Sequence, residues 1–415
     1  MPTSSSGVLS VVLAGGEGKR LGPLTRKRAK PAIPFAGQYR LVDFVLSNLV
    51  HSHLLRIHVL TQYQSHSLIR HISHGWSFSA HLGQYCEVIP AHSGEGKGWY
   101  KGSADALYQN LRPMMSNHPK IVAVFGADHV YRMDVRQMIN EHLESGADIT
   151  VAVVPQPIET ASRFGCITVD DQMRIVNFFE KPANPPPFPK DPSKSLISMG
   201  NYLFNLDVLR EVIETDHSDP GSRNDIGGDI LPKWVQRLNV HAYNFLDNKI
   251  SGQTVEECGY WRDVGTIEAY WKASMDLVSV SPVFNLYNAE WPILTASTNY
   301  PPAKFVFADE AANRIGISTD SLVSNGCIIS GGKIDRCVLG PAVRINSYSE
   351  VRNSVLFENC EIGRRCKIQN TIVEKGVFVP PDTRVGFDEE EDRSHGIHVD
   401  ESGIRVVDQE TELPK

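Results

Sequence analysis

The sequence predicts an α/β domain with a mainly parallel β-sheet, followed by a parallel β-helix. Up to about residue 280, apolar runs typical of buried strands alternate with amphipathic stretches typical of helices, which is the pattern of βαβ units. From about Leu322 to Val385, aliphatic residues recur every five or six positions, which indicates a hexapeptide-like repeat. We therefore place the first domain at 1–280 and the second at 304–415, with a linker to about residue 303.

The first predicted strand, the apolar run from Val8 to Val12, leads into a glycine-rich loop. The loop combines three glycines with two basic residues: Gly15, Gly16, Gly18, Lys19 and Arg20. Near-adjacent glycines let backbone N–H groups surround an anion, and the basic side chains add positive charge beside it. The spacing fits neither a P-loop nor a dinucleotide fingerprint. The loop predicts a site for a di- or triphosphate, with a tight turn containing incidental glycines as the alternative.

The following elements continue the alternation. Strands are predicted at 57–60, 121–125 and 149–153. Helices are predicted at 41–50, 103–115 and 135–146, with Ser103 and Asp134 as N-caps of the last two. The proline-rich stretch 181–189 is predicted to be an extended surface loop, because strand-like sequence resumes at Leu196.

The repeat in the second domain turns the chain every few residues and stacks short strands around an apolar column, which defines a parallel β-helix. The alternative is an antiparallel sandwich, which has longer strands and clearer hairpin turns. Four cysteines in this region are expected to point inward as small hydrophobic side chains rather than to bind a metal: Cys327, Cys337, Cys360 and Cys366.

Composition narrows the classes of partner. The net charge of -7 argues against nucleic acid or an anionic membrane as the main partner, so any anion must be held by a local basic cluster. No stretch has the length and apolar character of a membrane span, and the first residues lack a signal-peptide pattern, so we expect a cytoplasmic protein. The seven cysteines include no C-x-x-C pair and are expected to be free thiols.

Two aspartates form a candidate metal site. Asp128 follows the strand at 121–125, and therefore lies at the carboxyl edge of the sheet, where open α/β sheets bind ligands. Asp263 lies in the segment Tyr-Trp-Arg-Asp-Val-Gly-Thr at 260–266. Two carboxylates that meet beside a phosphate loop could hold Mg²⁺ against the phosphates, since that ion favours oxygen ligands. The alternative for Asp128 is a helix cap or a turn residue.

Glu180 and Lys181 end another predicted strand. Pro182 forces the chain to leave the sheet at this point, so both side chains can line one pocket. The functional interpretation has Glu180 accepting hydrogen bonds from sugar hydroxyls and Lys181 neutralising a phosphate. The alternative is a solvated ion pair.

Ten motifs together resemble one enzyme family from about Val8 to Gly386. In chain order they are GGEGKRL (15–21), RAKPA (28–32), TQYQSHSL (61–68), WYKGSADA (99–106), GADHVYRMD (126–134), FGC (164–166), EKPANPP (180–186), SMGNY (198–202), YWRDVGT (260–266) and PPAKFV (301–306). The chain resembles the glucose-1-phosphate adenylyltransferases of bacterial glycogen synthesis. That family combines a Rossmann-like nucleotidyltransferase domain with a C-terminal left-handed parallel β-helix. This agrees with the change from alternating strands and helices to a repeat of five or six residues in the second domain.

The resemblance implies Mg²⁺-dependent transfer of AMP from ATP to α-D-glucose 1-phosphate, the regulated committed step of glycogen biosynthesis. The implied nucleotide-binding residues are Leu13, Gly15, Gly16, Gly18 and Gly102. The implied catalytic residues are Arg20, Lys30 and Asp128, with Asp128 and Asp263 as metal ligands. The implied sugar-phosphate contacts are Tyr100, Gly165, Glu180, Lys181, Ser198 and Asp225. A sugar phosphate is already an anionic nucleophile, so this chemistry needs positioning and charge stabilisation rather than a base.

Family members are homotetramers regulated by metabolites. The resemblance implies a pocket for phosphorylated or carboxylate effectors formed by four basic residues: Lys27, Arg28, Arg40 and Arg344. The alternative is a set of salt bridges at the domain interface. Pro34 and Ser116 stand where the family has a histidine and an arginine of its regulatory sites, so the resemblance does not identify the effectors.

A second departure concerns the base. The family has a glutamine-rich segment where this chain has His92 to Gly98, whose glycines predict a mobile loop. The choice of ATP therefore rests on the resemblance, and a UTP- or dTTP-dependent transferase remains an alternative, as does a catalytically silent regulatory subunit. Asp128, Asp263, Lys181 and Arg20 argue for an active enzyme. An acyltransferase in the β-helix is not expected, because the repeats contain no histidine.

Overall fold

The computed structural model describes residues 7–91, 98–116 and 118–413, so residues 92–97 of the predicted mobile loop lie outside the described residues. The strands up to residue 263 are β1 (Val8–Ala14), β2 (Pro34–Phe35), β3 (Tyr39–Arg40), β4 (Arg56–Thr61), β5 (Tyr85–Pro90), β6 (Ile121–Gly126), β7 (His129–Tyr131), β8 (Ile149–Pro157), β9 (Gly165–Val169), β10 (Ile175–Glu180), β11 (Lys194–Asn205), β12 (Val240–Asn244) and β13 (Trp261–Asp263).

The α-helices of the same region are α1 (Leu41–His51), α2 (His66–Gly75), α3 (Ser103–Gln109), α4 (Leu111–Met115), α5 (Val135–Glu144), α6 (Ile158–Ala161), α7 (Leu206–His217), α8 (Leu231–Trp234) and α9 (Ile267–Asp276). Short 3₁₀ segments and one π segment join them at Lys19–Thr25, Lys30–Ala32, Ala80–Leu82, Ile226–Ile230 and Phe245–Asp247. Among the helices of the described residues, none combines the length and the apolarity that a bilayer crossing requires.

The main sheet runs in the order β5-β4-β1-β6-β11-β8-β12, and β9 and β10 extend it beside the first half of β11. Strands β5, β4, β1 and β6 are parallel, as are β8 and β12. The expected parallel-rich sheet is thus confirmed. The 12-residue strand β11 runs antiparallel to both β6 and β8, which the alternation pattern did not indicate.

Both faces of the sheet are buried. Along β1, Val8 and Val12 point into a core with α1, α2 and α5, whereas Leu9 and Val11 point into a second core with α3, α4 and α7. This alternation follows from the two-residue period of a strand. Because helices cover both faces, the open part of the sheet is its carboxyl edge, where a ligand can approach.

The predicted strands at 57–60, 121–125 and 149–153 and the predicted helix at 41–50 are confirmed as β4, β6, β8 and α1. The cap Asp134 is confirmed too, since its carboxylate accepts a hydrogen bond from the Arg136 N–H. The single helix predicted at 103–115 is wrong. It is divided into α3 and α4 because Pro113 has no N–H to donate to the carbonyl four residues earlier. Gly102, not Ser103, occupies the N-cap position of α3.

The second region forms the predicted β-helix. Its strands are β14 (Lys304–Val306), β15 (Ala308–Asp309), β16 (Arg314–Ile315), β17 (Ile317–Thr319), β18 (Leu322–Val323), β19 (Ile328–Ser330), β20 (Lys333–Asp335), β21 (Val338–Leu339), β22 (Arg344–Ile345), β23 (Glu350–Arg352), β24 (Val355–Leu356), β25 (Glu361–Ile362), β26 (Lys367–Gln369), β27 (Thr371–Val373), β28 (Phe378–Val379), β29 (Arg384–Val385), β30 (His398–Val399) and β31 (Arg405–Val407).

Three sheets of parallel strands enclose the apolar column, as in a left-handed β-helix. Their orders are β14-β19-β22-β25-β28, β17-β20-β23-β26-β29 and β18-β21-β24-β27-β31, with β30 added antiparallel to the last. Equivalent inward residues stack along each sheet, as Ile329, Ile345, Ile362 and Val379 do in the first. The four repeat cysteines are buried in this column, and all seven cysteines are free thiols, as expected.

The third of these sheets packs against the α/β domain. A shared core joins Phe35 and Tyr270 of the first domain with Phe357, Ile372 and Val406 of the β-helix. The end of the chain takes part in this packing, since helix α10 (Glu389–Ser394) is followed by β30 and β31, which complete the sheet. The sequence did not indicate whether residues 388–415 order on their neighbours.

Candidate active site

Two adjoining pockets open at the carboxyl ends of β1 and β6. One is a cleft of about 430 Å³ that contains Asp128, Glu180 and Asp263. The other has a volume of about 380 Å³ and lies between the glycine-rich loop and the start of α3. Leu13, Gly16 and Ser103 line both pockets, so ligands in the two would meet beside these residues.

The glycine-rich loop is shaped by side chains as well as by its glycines. Gly18 has φ +69°, and an added Cβ would lie 2.9 Å from the Thr25 side chain, so this turn needs glycine. Thr25 donates from its hydroxyl to the carbonyl oxygens of Gly18 and Gly22 at 3.1 and 3.2 Å. The Gln62 amide donates to the carbonyl oxygen of Gly15 at 2.8 Å. These hydrogen bonds from Thr25 and Gln62 support the turned shape of the loop.

Asp128 and Asp263 meet because two short strands pair. Strand β7 follows β6 directly and forms an antiparallel ribbon with β13, in which Asp263 is opposite His129. Lys30 reaches between the carboxylates, with its Nζ 2.7 Å from Asp128 Oδ2 and 3.4 Å from Asp263 Oδ1. The predicted juxtaposition of the aspartates thus has a lysine at its centre.

The charges of this centre reinforce one another. Burial by itself would raise the pKa of Asp128, but the Lys30 ammonium and the His129 ring outweigh it and hold the pKa well below its usual range. Burial would lower the pKa of Lys30, and the carboxylates of Asp128 and Asp263 instead raise it above its usual value. Asp128 and Lys30 therefore both stay charged at neutral pH.

The carboxylate pair fits a divalent cation. Asp128, His129 and Asp263 offer ligand atoms that all lie within 4.8 Å of one another. The His129 Nδ1 is buried and has no hydrogen-bond partner among the described residues. Two carboxylates with this spacing match the preference of Mg²⁺ for one or two protein oxygens. Arg20 lies beside the same pair. A Cβ built on Gly265 would be 3.0 Å from the Arg20 guanidinium and 3.0 Å from the Asp263 carboxylate, so both groups contact this glycine.

Glu180 and Lys181 lie at the mouth of the larger cleft. The Lys181 Nζ is 2.5 Å from Glu180 Oε1, and 63% of the lysine side chain is exposed. Lys181 has φ +48°, a left-handed conformation that turns the chain out of β10 just before Pro182. The pair faces the cleft, but its hydrogen bond also fits the alternative of a solvated ion pair.

Gly165, Ser198 and Asp225 line the same cleft. A Cβ on Gly165 would lie 2.4 Å from the Phe178 ring, so the close approach of that ring requires glycine. Ser198 lies in β11 beside an irregularity that shifts the register between Ser198 and Tyr202. Tyr100 and Gly102, by contrast, line the smaller pocket with Gly15, so the structure separates Tyr100 from the other predicted sugar-phosphate residues.

Comparison with known proteins identifies matching families and similar chains. The family described as Nucleotidyl transferase matches residues 9–280, and the family described as GlmU-like, C-terminal hexapeptide matches residues 301–407. The chain is 53% identical over 401 residues to a glucose-1-phosphate adenylyltransferase of Anaeromyxobacter sp. (strain Fw109-5), covering 96% of this chain and 97% of the relative. It is 52% identical over 402 residues to the protein of that name from Parafrankia sp. (strain EAN1pec), with 96% and 97% covered. Identity to the one from Bifidobacterium longum (strain DJO10A) is 49% over 411 residues, with 99% of both chains covered.

The chain belongs to the glucose-1-phosphate adenylyltransferase family. This confirms the predicted resemblance.

In this adenylyltransferase-family chain, a third pocket of about 180 Å³ lies at the domain boundary. It is lined by Lys27 and Arg28 from the first domain and by Glu374, Asp408 and Glu410 from the β-helix and its C-terminal segment. The two guanidinium nitrogens of Arg28 bond both Glu374 oxygens, at 2.5 and 2.8 Å. The Lys27 Nζ lies 3.6 Å from a Glu410 oxygen. Two of the four predicted effector residues thus meet acidic partners here.

Of the other two predicted effector residues, Arg40 is close to Arg28, and burial together with the Arg28 charge lowers the pKa of the Arg40 guanidinium. Arg40 donates to the backbone and hydroxyl oxygens of Ser67 inside the first domain. Arg344 is on β22, where it donates to Asn346 and approaches Glu361. Arg344 lies on a different sheet from the one that packs on the first domain, and its membership of the predicted effector pocket stays a prediction.

Three contributors to the site were not assigned a role there by sequence reasoning. His129 carries no signal in the sequence beyond following Asp128, although its position opposite Asp263 in a short ribbon brings its ring close to both carboxylates. No sequence motif marks Thr25, because its hydroxyl reaches the Gly18 carbonyl oxygen only through the turn at Gly18. Ser103 was interpreted as an N-cap, whereas its hydroxyl instead donates to Asp225.

Proposed function

We propose that this chain transfers the AMP moiety of ATP to α-D-glucose 1-phosphate, releasing pyrophosphate and forming ADP-glucose for glycogen synthesis. The names and near-complete coverage of its relatives support the reaction. The observation that carries it is the centre of Asp128, Lys30 and Asp263 at the edge of two adjoining pockets, one for each substrate.

The reaction is an in-line displacement at phosphorus. A phosphate oxygen of glucose 1-phosphate bonds to the α-phosphorus of ATP, and the bond from that phosphorus to the bridging oxygen of pyrophosphate breaks. No proton has to be removed from the nucleophile, so positioning and charge stabilisation supply the catalysis. Lys30 and Arg20 would stabilise negative charge on the phosphates, because two ion pairs fix Lys30 beside the cleft and Arg20 lines it.

Asp128 and Asp263 would hold Mg²⁺, with His129 adjacent to them. The ion, when bound, supplies charge neutralisation for the triphosphate. The low pKa of Asp128 supports this role, since the carboxylate is ionised and ready to bind a cation at neutral pH. Lys30 keeps the two carboxylates together when the cation is absent.

The larger cleft would hold the sugar phosphate. Glu180 and Asp225 offer carboxylate oxygens for sugar hydroxyls, and Lys181 offers an exposed cation for the phosphate. Leu13, Gly15 and Gly16 line the smaller pocket and would bind the nucleotide together with Tyr100 and Gly102. This assignment moves Tyr100 from the sugar-phosphate side to the nucleotide side.

A direct test measures pyrophosphate release with glucose 1-phosphate, Mg²⁺ and each of ATP, UTP and dTTP. ATP should give the highest kcat/KM. A preference for UTP or dTTP would refute the proposed nucleotide, and no turnover with any of them would favour the silent-subunit alternative.

Asp128→Asn should reduce kcat at least about 100-fold, because it removes a charge that neither substrate can replace. Asp171→Asn is a matched control, since Asp171 is exposed in the turn between β9 and β10. It should leave kcat within a factor of two. Activity of the Asp128 variant near the starting level would contradict the proposed role of that residue.

Regulation and assembly belong to the same proposal. Anionic metabolites, either phosphorylated or carboxylate, would bind at the domain-boundary pocket through Lys27 and Arg28, with the chain acting as a cytoplasmic homotetramer. The basic residues around a pocket shared by both domains support the effector role. Analytical ultracentrifugation at working concentration tests the tetramer.

A further inference from the structure

Ser103 lies between the two proposed substrate pockets and lines both. Its hydroxyl donates to Asp225 Oδ1 at 2.8 Å and accepts a hydrogen bond from the Ile226 N–H at 2.8 Å. The next residue, Ala104, donates its N–H to the carbonyl oxygen of Asn224 at 2.8 Å. Three hydrogen bonds therefore join the first turn of α3 to the segment 224–226.

The two segments are also in close contact. A Cβ on Gly102 would lie 2.2 Å from the carbonyl oxygen of Asn224, so only glycine allows this approach. Asp225 is held from its other side too, since its Oδ2 accepts from the Gly228 N–H at 2.8 Å. Both carboxylate oxygens of Asp225 are thus oriented by hydrogen bonds, and Ser103 supplies the one that comes from the nucleotide side.

The same turn is bonded to the phosphate loop. The Tyr100 N–H donates to Gln62 Oε1 at 2.7 Å, and Gln62 Nε2 donates to the carbonyl oxygen of Gly15 at 2.8 Å. Gly15 is therefore connected to Asp225 by hydrogen bonds through Gln62, by the main chain of residues 100–103, and by the Ser103 hydroxyl. One end lies in the nucleotide pocket and the other in the sugar-phosphate pocket.

We propose that Ser103 is a positioning residue that orients Asp225 toward the sugar phosphate and couples binding in the two pockets. The inference rests on the proposed function, because it assigns the cleft at Asp225 to a hydroxyl-bearing sugar phosphate. A hydroxyl bonded to a carboxylate restricts that carboxylate to one rotamer, and an oriented acceptor binds a sugar hydroxyl at lower cost in conformational entropy.

The test compares Ser103→Ala and Ser103→Thr with the unmodified chain. Ser103→Ala should raise KM for glucose 1-phosphate about tenfold, as expected for loss of a hydrogen bond to a charged group, while KM for ATP changes less than threefold. Ser103→Thr keeps the hydroxyl and should restore KM to within a factor of three. Ser279→Ala is the control, because its exposed hydroxyl donates to the carbonyl oxygen of Asp276 at the end of α9, away from both pockets.

Coupling is tested by isothermal titration of glucose 1-phosphate with and without a non-hydrolysable ATP analogue. In the unmodified chain the analogue should tighten glucose 1-phosphate binding, and in Ser103→Ala this gain should fall at least threefold. In an Asp225→Asn background, Ser103→Ala should add less than a twofold further change, since residues that act as a unit are not additive.

Equal increases in both KM values, or full additivity with Asp225→Asn, would overturn the inference and leave Ser103 a structural residue. If the unmodified chain bound glucose 1-phosphate but formed no ADP-glucose, the proposed reaction would be refuted. The titrations would still test whether Ser103 orients Asp225. A variant that lost helical signal by circular dichroism would be replaced by Ser103→Cys, which keeps the size of the side chain but bonds the carboxylate poorly.

Discussion

The buried ammonium of Lys30 holds two carboxylates from distant parts of the chain together before any substrate enters. The pKa of Lys30 is raised and that of Asp128 is lowered. Each group therefore stabilises the folded state in its charged form. The Asp128 contribution is present above the ordinary carboxyl pKa of about 4 and is lost as the pH falls further. The Lys30 contribution is present below about pH 10 and is lost in stronger alkali. The charged centre is therefore intact across the physiological range.

His58 is also a buried base, but unlike Lys30 it favours its neutral form. It lies in β4, its Nδ1 has no partner among the described residues, and its Nε2 is 3.8 Å from Glu87, too far for a hydrogen bond. Burial lowers its pKa, and Glu87 opposes this only in part. The unfolded chain binds a proton near pH 6.5 and the folded chain does so at lower pH, so acid favours unfolding through this residue.

His58→Phe should remove this acid sensitivity. At pH 8 both folded and unfolded states carry a neutral ring, and the variant should be at least as stable as the original. Between pH 6.5 and 5.5 the original loses up to about 1.4 kcal/mol per pH unit through His58, and the variant should not. Urea unfolding at pH 8.0 and 5.5 measures this difference. His81→Gln, at an exposed histidine, is the control, and equal acid losses in all three proteins would contradict the role of His58.

At the level of elements, the C-terminal segment 388–413 links the β-helix to the catalytic domain. Arg405 on β31 donates to Asp392 of α10 at 2.8 Å, and both side chains are almost fully buried. The chain then continues to Asp408, which lies 2.9 Å from Arg26. Glu410 approaches both Arg26 and Lys27, at 3.4 and 3.6 Å. The segment thus places two carboxylates on the basic residues of the domain-boundary pocket.

These carboxylates should compete with anions for Arg26 and Lys27. The double variant Asp408→Asn, Glu410→Gln should bind inorganic phosphate more tightly, with Kd reduced about two- to fivefold for each exposed ion pair removed. Isothermal titration at low ionic strength measures this, because salt screens such pairs. Glu268→Gln, which removes an exposed ion pair with Lys272 on α9, is the control. Unchanged phosphate affinity in the double variant would show that the segment does not restrict the pocket.

At the level of the whole molecule, the glycine-rich loop adjoins the core that joins the two domains. Leu21 and Leu24, which flank the loop on its C-terminal side, pack in the same cluster as Ile267 of α9 and Ile404 of the C-terminal segment. Trp271 of α9 adds a hydrogen bond to the Asn353 carbonyl in the β-helix at 2.9 Å. Leu21, the residue after Arg20, is therefore buried in the core that the two domains share.

Phe357→Ala tests this shared core. Phe357 is 1% exposed and packs with Tyr270 across the domain boundary, so truncation should cost about 3–5 kcal/mol. Calorimetry should show the unfolding of both domains moving to lower temperature together. Phe378→Ala, at a side chain 55% exposed on the same β-helix, should change little. A shift confined to a separate β-helix transition would contradict a shared core.

Local patterns predicted much of this molecule. The hexapeptide-like period, the glycines after the first strand and the cap at Asp134 each depend on a few neighbouring residues, and all three appear in the structure as expected. The family followed from the order of ten short motifs, and the relatives confirm it. The roles of the individual site residues remain predictions, since they depend on bound substrates.

The sequence patterns did not predict the contacts between segments that lie far apart in the sequence. The antiparallel course of β11, the meeting of Asp263 with Lys30 and the link from Ser103 to Asp225 all depend on how elements pair and pack. Periodicity and turn chemistry determine which elements form, because they act over a few residues. Which side chains meet is decided only when those elements pack in three dimensions, and in this protein that packing assembles the charged centre beside two pockets.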